Sequence, residues 1–144
     1  MRRVAINVCH GGFGLSALAC QEYLKLIGKP CYFFKMTTQR DKYEVLSLEE
    51  ASKTAFFTVY FVSDPLREII IQENGSSNYR ELTFHEDGLS RDDPNLIKVI
   101  ETLGEKANGR FSQLKIVEIP DNVEWTIDEY DGAEWVAEKH RTWG

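Results

Sequence analysis

The chain has 144 residues, 42% hydrophobic and 28% charged, a composition that suits a globular domain with its own core and excludes intrinsic disorder. The formal net charge of −6 argues against a broad basic face, so nucleic-acid binding is not expected, while a local pocket for a small anion stays open. Three cysteines, Cys9, Cys20 and Cys31, give an odd count without a close pair; they read as small buried hydrophobes in a reducing compartment, not as a disulfide framework or zinc ligands.

The charged start Met1-Arg2-Arg3 is followed by a segment that Asn7, His10 and three glycines interrupt, so no signal-peptide core is expected. No apolar run reaches the roughly 18 residues of a membrane span. A cytoplasmic protein without membrane contact is the expectation.

The first element is a β-branched strand, Val4-Ala5-Ile6-Asn7-Val8, running into His10-Gly11-Gly12-Phe13-Gly14-Leu15-Ser16 and then into a helix from about Ser16 to Ile27. Ser16 is the expected N-cap, and Gly28 with Pro30 is the stop. Strand, glycine turn and helix N-terminus in succession form an anion cradle, because free backbone N–H groups and the positive helix end converge there. Cys31 to Met36 is an aromatic strand, Thr37 to Tyr43 a polar loop, and Leu46 to Lys53 a short helix or turn. Ala55 to Val62 carries the strongest strand pattern. Leu66 to Ile71 is apolar but too short for its periodicity to decide between helix and strand.

Asn74 to Asn78 reads as a turn and Tyr79 to Phe84 as a strand returning from it. Arg91-Asp92-Asp93-Pro94-Asn95 opens the second helix, with an aspartate N-cap, Pro94 at the first helical position and Leu96, Ile100, Leu103 and Ala107 on one face. Leu114 to Pro120 and Trp125 to Tyr130 are strands, and Gly132 to Trp143 is a short tail expected to be helical. The expected fold is α/β or α+β: a single domain over residues 1–144, with a mixed β-sheet, two main helices and that tail.

The glycine turn is neither Gly-x-Gly-x-x-Gly nor a phosphate loop ending in Gly-Lys-Ser/Thr, so a dinucleotide fold or nucleoside triphosphatase is unsupported. It reads either as a tight turn that needs positive φ, or as a ligand loop. In the second reading Gly11, Gly12 and Gly14 allow close backbone approach, His10 or Phe13 stacks on a ring, and Ser16 caps the helix beside it. Arg91 and Asn95 are left over once Asp93 and Pro94 are assigned to capping; an arginine there grips phosphate and an asparagine reads a base edge or ribose. The ligand-binding set is therefore His10, Gly11, Gly12, Phe13, Gly14, Ser16, Arg91 and Asn95. No catalytic residue, metal ligand or cofactor is assigned. His85-Glu86-Asp87 and Asp128-Glu129-Tyr130-Asp131 read as solvated charge.

Four stretches carry a resemblance: Ile6 to Ser16, Arg91 to Leu96, Val117-Glu118-Ile119-Pro120-Asp121, and Glu129-Tyr130-Asp131-Gly132-Ala133-Glu134-Trp135. With these the chain resembles a family of small uncharacterised bacteriophage proteins over about half its length. In size and character it is similar to the Thoeris anti-defence sponges, which capture a cyclic ADP-ribose signal without cleaving it. The resemblance implies a viral anti-defence protein, working in the host cytoplasm, that sequesters a small anionic nucleotide-like ligand. Two other readings stay open: a small hydrolase or transferase acting on a phosphorylated substrate with His10 or His85 as general base, and a protein-binding module using Trp125, Trp135 and Trp143. The tryptophans also predict packing across a homo-oligomer interface or back onto the sheet.

Overall fold

The structure, a computed structural model, describes residues 1–36, 43–54, 56–63, 74, 77 and 79–139. In chain order the described elements are β1 (Arg2–Asn7), α1 (Ala17–Leu26), β2 (Tyr32–Met36), β3 (Tyr43–Leu46), α2 (Leu48–Lys53), β4 (Thr58–Tyr60), α3 (Tyr79–Leu82), β5 (Thr83–Phe84), α4 (Pro94–Leu103), β6 (Leu114–Ile119), β7 (Trp125–Tyr130) and β8 (Ala133–Glu138). Short 3-10 turns occupy Glu86–Gly88 and Gly104–Ala107. The class is α+β, as expected, with antiparallel ladders distributed over three sheets. The chain divides into two compact units, Met1–Ala19 with Asp87–Gly144, and Cys20–Glu86.

In the first unit β1 pairs with β6, from Arg2 opposite Ile119 to Asn7 opposite Leu114. Val4, Ala5, Ile6 and Asn7 are all buried, which means that both faces of the strand are covered, because successive side chains point to opposite sides. Helix α4 and strand β8 are its neighbours. Helix α4 begins as its sequence dictates: Asp93 caps the Asn95 and Leu96 N–H groups, Pro94 sits in the first turn, and Leu96, Ile97, Val99 and Ile100 form the buried face. Full burial of a side chain such as Leu96 or Val4 contributes about 2 kcal/mol each.

Within the expected helical tail, Ala133–Glu138 is a strand, while its last part, residues 140–143 with Trp143, lies outside the described residues. Asp131 and Gly132 have φ of 50° and 87°, the paired left-handed conformation of a tight two-residue hairpin turn, and β8 folds back on β7 with Trp125 opposite Glu138 and Tyr130 opposite Ala133. Helix-compatible residues such as Ala133 and Glu134 are overridden by that turn and by cross-strand pairing.

In the second unit the sheet order is β3-β2-β4-β5. Its core is aromatic: Phe34 meets Tyr60 edge-on at 5.2 Å, and Tyr23 stacks on Phe84 at 5.5 Å. The strong strand pattern from Ala55 shrinks to Thr58–Tyr60, and Tyr79 to Phe84 is a helical turn followed by a two-residue strand rather than one strand. Leu48–Lys53 is a helix with a reciprocal Ser47–Glu50 capping box. Residues 37–42, 66–71 and most of 74–78 lie outside the described residues.

Candidate functional site

The glycine turn is a loop between β1 and α1, and it is anchored at both ends. Its C-terminal half is zipped to the segment after α4. There Ser16 N–H donates to the Ala107 carbonyl at 2.9 Å, while the Gly14 carbonyl accepts from Gly109 N–H at 3.1 Å and from the Ser112 hydroxyl at 2.7 Å. The Ser16 hydroxyl caps α1 by accepting Ala19 N–H at 3.1 Å and donates to the Lys106 carbonyl at 2.6 Å. Capping accounts for Ser16, as expected, and leaves its proton committed.

The N-terminal half is held by Asn7, which is fully buried. Its amide nitrogen donates to the carbonyls of Cys9 (2.8 Å) and Gly132 (2.9 Å), and its oxygen accepts Gln113 N–H (2.8 Å) and the Cys9 thiol (3.2 Å). Both donors and both acceptor positions of the side chain are thus satisfied. The hairpin turn rests on the same loop: a Cβ at Gly132 would stand 2.8 Å from the His10 carbonyl oxygen and 3.1 Å from Gly12 N. His10 Nδ1 lies 3.2 Å from the Asp131 carbonyl. A carbonyl only accepts, so Nδ1 carries the proton and Nε2 is the ring nitrogen left to a ligand.

Between these anchors, among the described residues, the backbone N–H groups of Gly11, Gly12, Phe13 and Gly14 donate to no other group. Gly11 needs its missing side chain for space, since a Cβ there would fall 1.7 Å from the Phe111 carbonyl oxygen.

Arg91 reaches this loop but is already engaged. Its guanidinium lies over the Phe13 ring, 3.7 Å from the centroid. Nη1 donates to Glu134 Oε1 at 2.7 Å and to the Ala5 carbonyl at 3.2 Å, and Nη2 donates to Glu134 Oε2 at 2.9 Å. Glu134 Oε1 also accepts Asn7 N–H at 2.8 Å, while Ala5 N–H donates to the Arg91 carbonyl at 2.8 Å. Ala5 and Asn7 point these groups away from β6, so Arg91 and Glu134 seal the edge of β1 that would otherwise be open. Burial pushes the Glu134 carboxyl up, but the Arg91 hydrogen bonds, the Asn7 N–H and the Arg91 charge outweigh it and hold it below its ordinary value. With the Arg91 charge matched by Glu134, the loop presents backbone amide dipoles rather than a free guanidinium.

The structure therefore brings His10, Gly11, Gly12, Phe13, Gly14, Ser16 and Arg91 to one place. Asn95 is not joined to them by any hydrogen bond among the described residues; its backbone N–H donates to Asp93. Asn7 and Glu134 are the site residues that sequence reasoning missed. An amide inside an otherwise apolar strand was the available signal for Asn7, since a buried asparagine must find partners. Two clefts lie elsewhere in this unit, one of about 470 Å³ near Trp125 and one of about 560 Å³ near Leu114, and the glycine loop lines neither. In the second unit burial raises the Cys31 thiol to about 11, and burial, with Glu86 and Cys31 adding to it, pushes Cys20 well above 9.0, which favours the protonated form of both thiols. No helix among the described residues is long and apolar enough to cross a membrane. Comparison with protein-family models, curated proteins and solved structures finds no match to the chain.

Proposed function

We propose that the protein is a non-catalytic binder that sequesters a small anionic nucleotide-like ligand, such as a cyclic ADP-ribose or a cyclic oligonucleotide. This is the role implied by the resemblance to phage anti-defence sponges. The observation that carries the reading is the row of uncommitted N–H groups from Gly11 to Gly14, in a loop whose two ends are fixed by Asn7, Gly132 and Ser112. Such a loop loses little entropy on binding, and backbone donors without an acceptor of their own favour an anion. Phe13 adds a ring whose one face Arg91 covers, and among the described residues no other ring stacks on it, so its second face is the one offered to a base.

Incubation of the protein with cyclic ADP-ribose isomers and cyclic oligonucleotides, followed by denaturation, returns intact ligand if this reading holds. An altered product assigns catalysis instead, with His10 Nε2 as the base to be mutated first.

Self-association is the second element of the reading. Tyr130 lies opposite Ala133 and Asp128 opposite Trp135, so Tyr130 and Trp135 share one hairpin face, and they are 74% and 47% exposed. Trp135→Ser lowers the mass seen by light scattering from that of an oligomer to that of a protomer; an unchanged mass contradicts this role for the hairpin.

A further inference from the structure

We propose that the cleft at the open end of the β7–β8 hairpin is a second small-molecule site, one that takes a planar ring carrying a single anionic group, the chemistry of a nucleoside monophosphate. The cleft measures about 470 Å³, and its walls include Arg2, Lys139, Trp125, Asp121 and Glu124. That volume lies within the range of small-ligand sites.

Its geometry is fixed by strand ends. Trp125 starts β7 opposite Glu138, and the Lys139 N–H donates to the Glu124 carbonyl at 2.8 Å, which ties the two strands together at the mouth. Arg2 opens β1, opposite Ile119. Arg2 and Asn7 are the two ends of that strand, which at ~3.3 Å per residue places this cleft about 17 Å from the glycine loop.

Two cations of an acidic molecule line this one cleft. Among the described residues neither Arg2 nor Lys139 has an ion-pair partner. Asp121 is held by the Met1 amine at 3.0 Å, so of the two acids lining the cleft Glu124 alone has no ion-pair partner among the described residues. Two exposed cations beside a half-buried indole provide an electrostatic seat for one anionic group and a wall on which a ring stacks. Neither half of such a ligand would suffice alone, because each exposed contact is weak in water.

Calorimetric titration of the whole chain with AMP, adenosine and inorganic phosphate tests the site. AMP binds at least about tenfold more tightly than adenosine or phosphate, as expected when stacking and charge each contribute. The Arg2→Gln/Lys139→Gln variant, which changes only exposed side chains, weakens AMP at least about tenfold with an unchanged thermal melt, while Phe13→Ala leaves AMP affinity as it was. Absence of AMP binding, phosphate binding as tightly as AMP, or an unaffected double variant overturns the proposal. Loss of AMP binding in Phe13→Ala also overturns it, by moving the ligand to the glycine loop; failure of the glycine-loop reading alone leaves the AMP result intact.

Discussion

Arg91 and Glu134 are 43 residues apart in the chain and meet in a two-pronged ion pair, Nη1 to Oε1 at 2.7 Å and Nη2 to Oε2 at 2.9 Å. The same two side chains reach the backbone of β1, one at the Ala5 carbonyl and the other at the Asn7 N–H. The pair thus fastens the hairpin to the strand that feeds the glycine loop, and places a guanidinium over Phe13. An arginine suited by its sequence context to grip phosphate is committed to Glu134, Ala5 and the Phe13 ring.

Removal of either partner leaves the other charge unmatched where water is scarce: the side chains are 20% and 7% exposed. Arg91→Met is expected to destabilise the protein by about 3 kcal/mol, the cost typical of breaking a largely buried pair. Arg91→Met/Glu134→Gln should lose less than the sum of the two single changes, by more than about 1 kcal/mol. Urea unfolding with a constant m-value measures this, and strict additivity would contradict the pairing.

The pair also sets a pH dependence. Glu134 has a folded pKa below its ordinary 4.5, so the unfolded chain binds the proton more readily and stability falls as the pH is lowered through this range. The contribution is fully present above about 4.5 and is lost as pH drops through the lower folded value. Between pH 6 and pH 3 the melting temperature of the native protein should therefore fall more steeply than that of Glu134→Gln. Parallel curves would remove Glu134 from the account.

Two glycines are held to their identity for different reasons. At Gly11 an added methyl meets the Phe111 carbonyl at 1.7 Å; at Gly132 it meets His10 backbone at 2.8 Å with φ already at 87°. Gly28 has φ of 73° and nothing nearby, so Gly28→Ala should cost only the conformational penalty of about 1 kcal/mol. Gly11→Ala and Gly132→Ala should each cost at least twice that in a thermal or urea titration, and equal costs at all three positions would show that the loop is not tightly seated.

Asn7→Leu deletes a side chain that satisfies two carbonyls and the Gln113 N–H. Leaving those groups buried and unpaired should destabilise the fold by about 3 kcal/mol or more. Amide exchange at Gln113 should accelerate beyond the global change, and retained protection there would contradict the role assigned to Asn7.

Local chemistry made much of this legible in the sequence. The Ser16 cap, the Asp93-Pro94 helix start and the strands on either side of Asn7 and Ile116 follow from residues within a few positions of one another. The hairpin after Trp125 was misread because Ala133, Glu134 and Glu138 favour a helix, although Asp131-Gly132 already carried the turn signal. The Arg91–Glu134 pair was not legible for a different reason: the partner is distant in sequence, and no periodicity or motif links position 91 to position 134. The candidate ligand set came together except for Asn95, whereas the residues that hold it in place, Asn7 and Glu134, were visible only once the strands were paired.

The proposed binding of an anionic ligand by the free amides of the glycine loop is open to nitrogen-15 chemical-shift mapping of the protein with cyclic ADP-ribose. The amide protons of Gly11, Gly12, Phe13 and Gly14 should move downfield, and the movement should be abolished together with binding in Phe13→Ala. Saturating ligand that leaves these four signals in place, or that shifts only residues outside the loop, would contradict it.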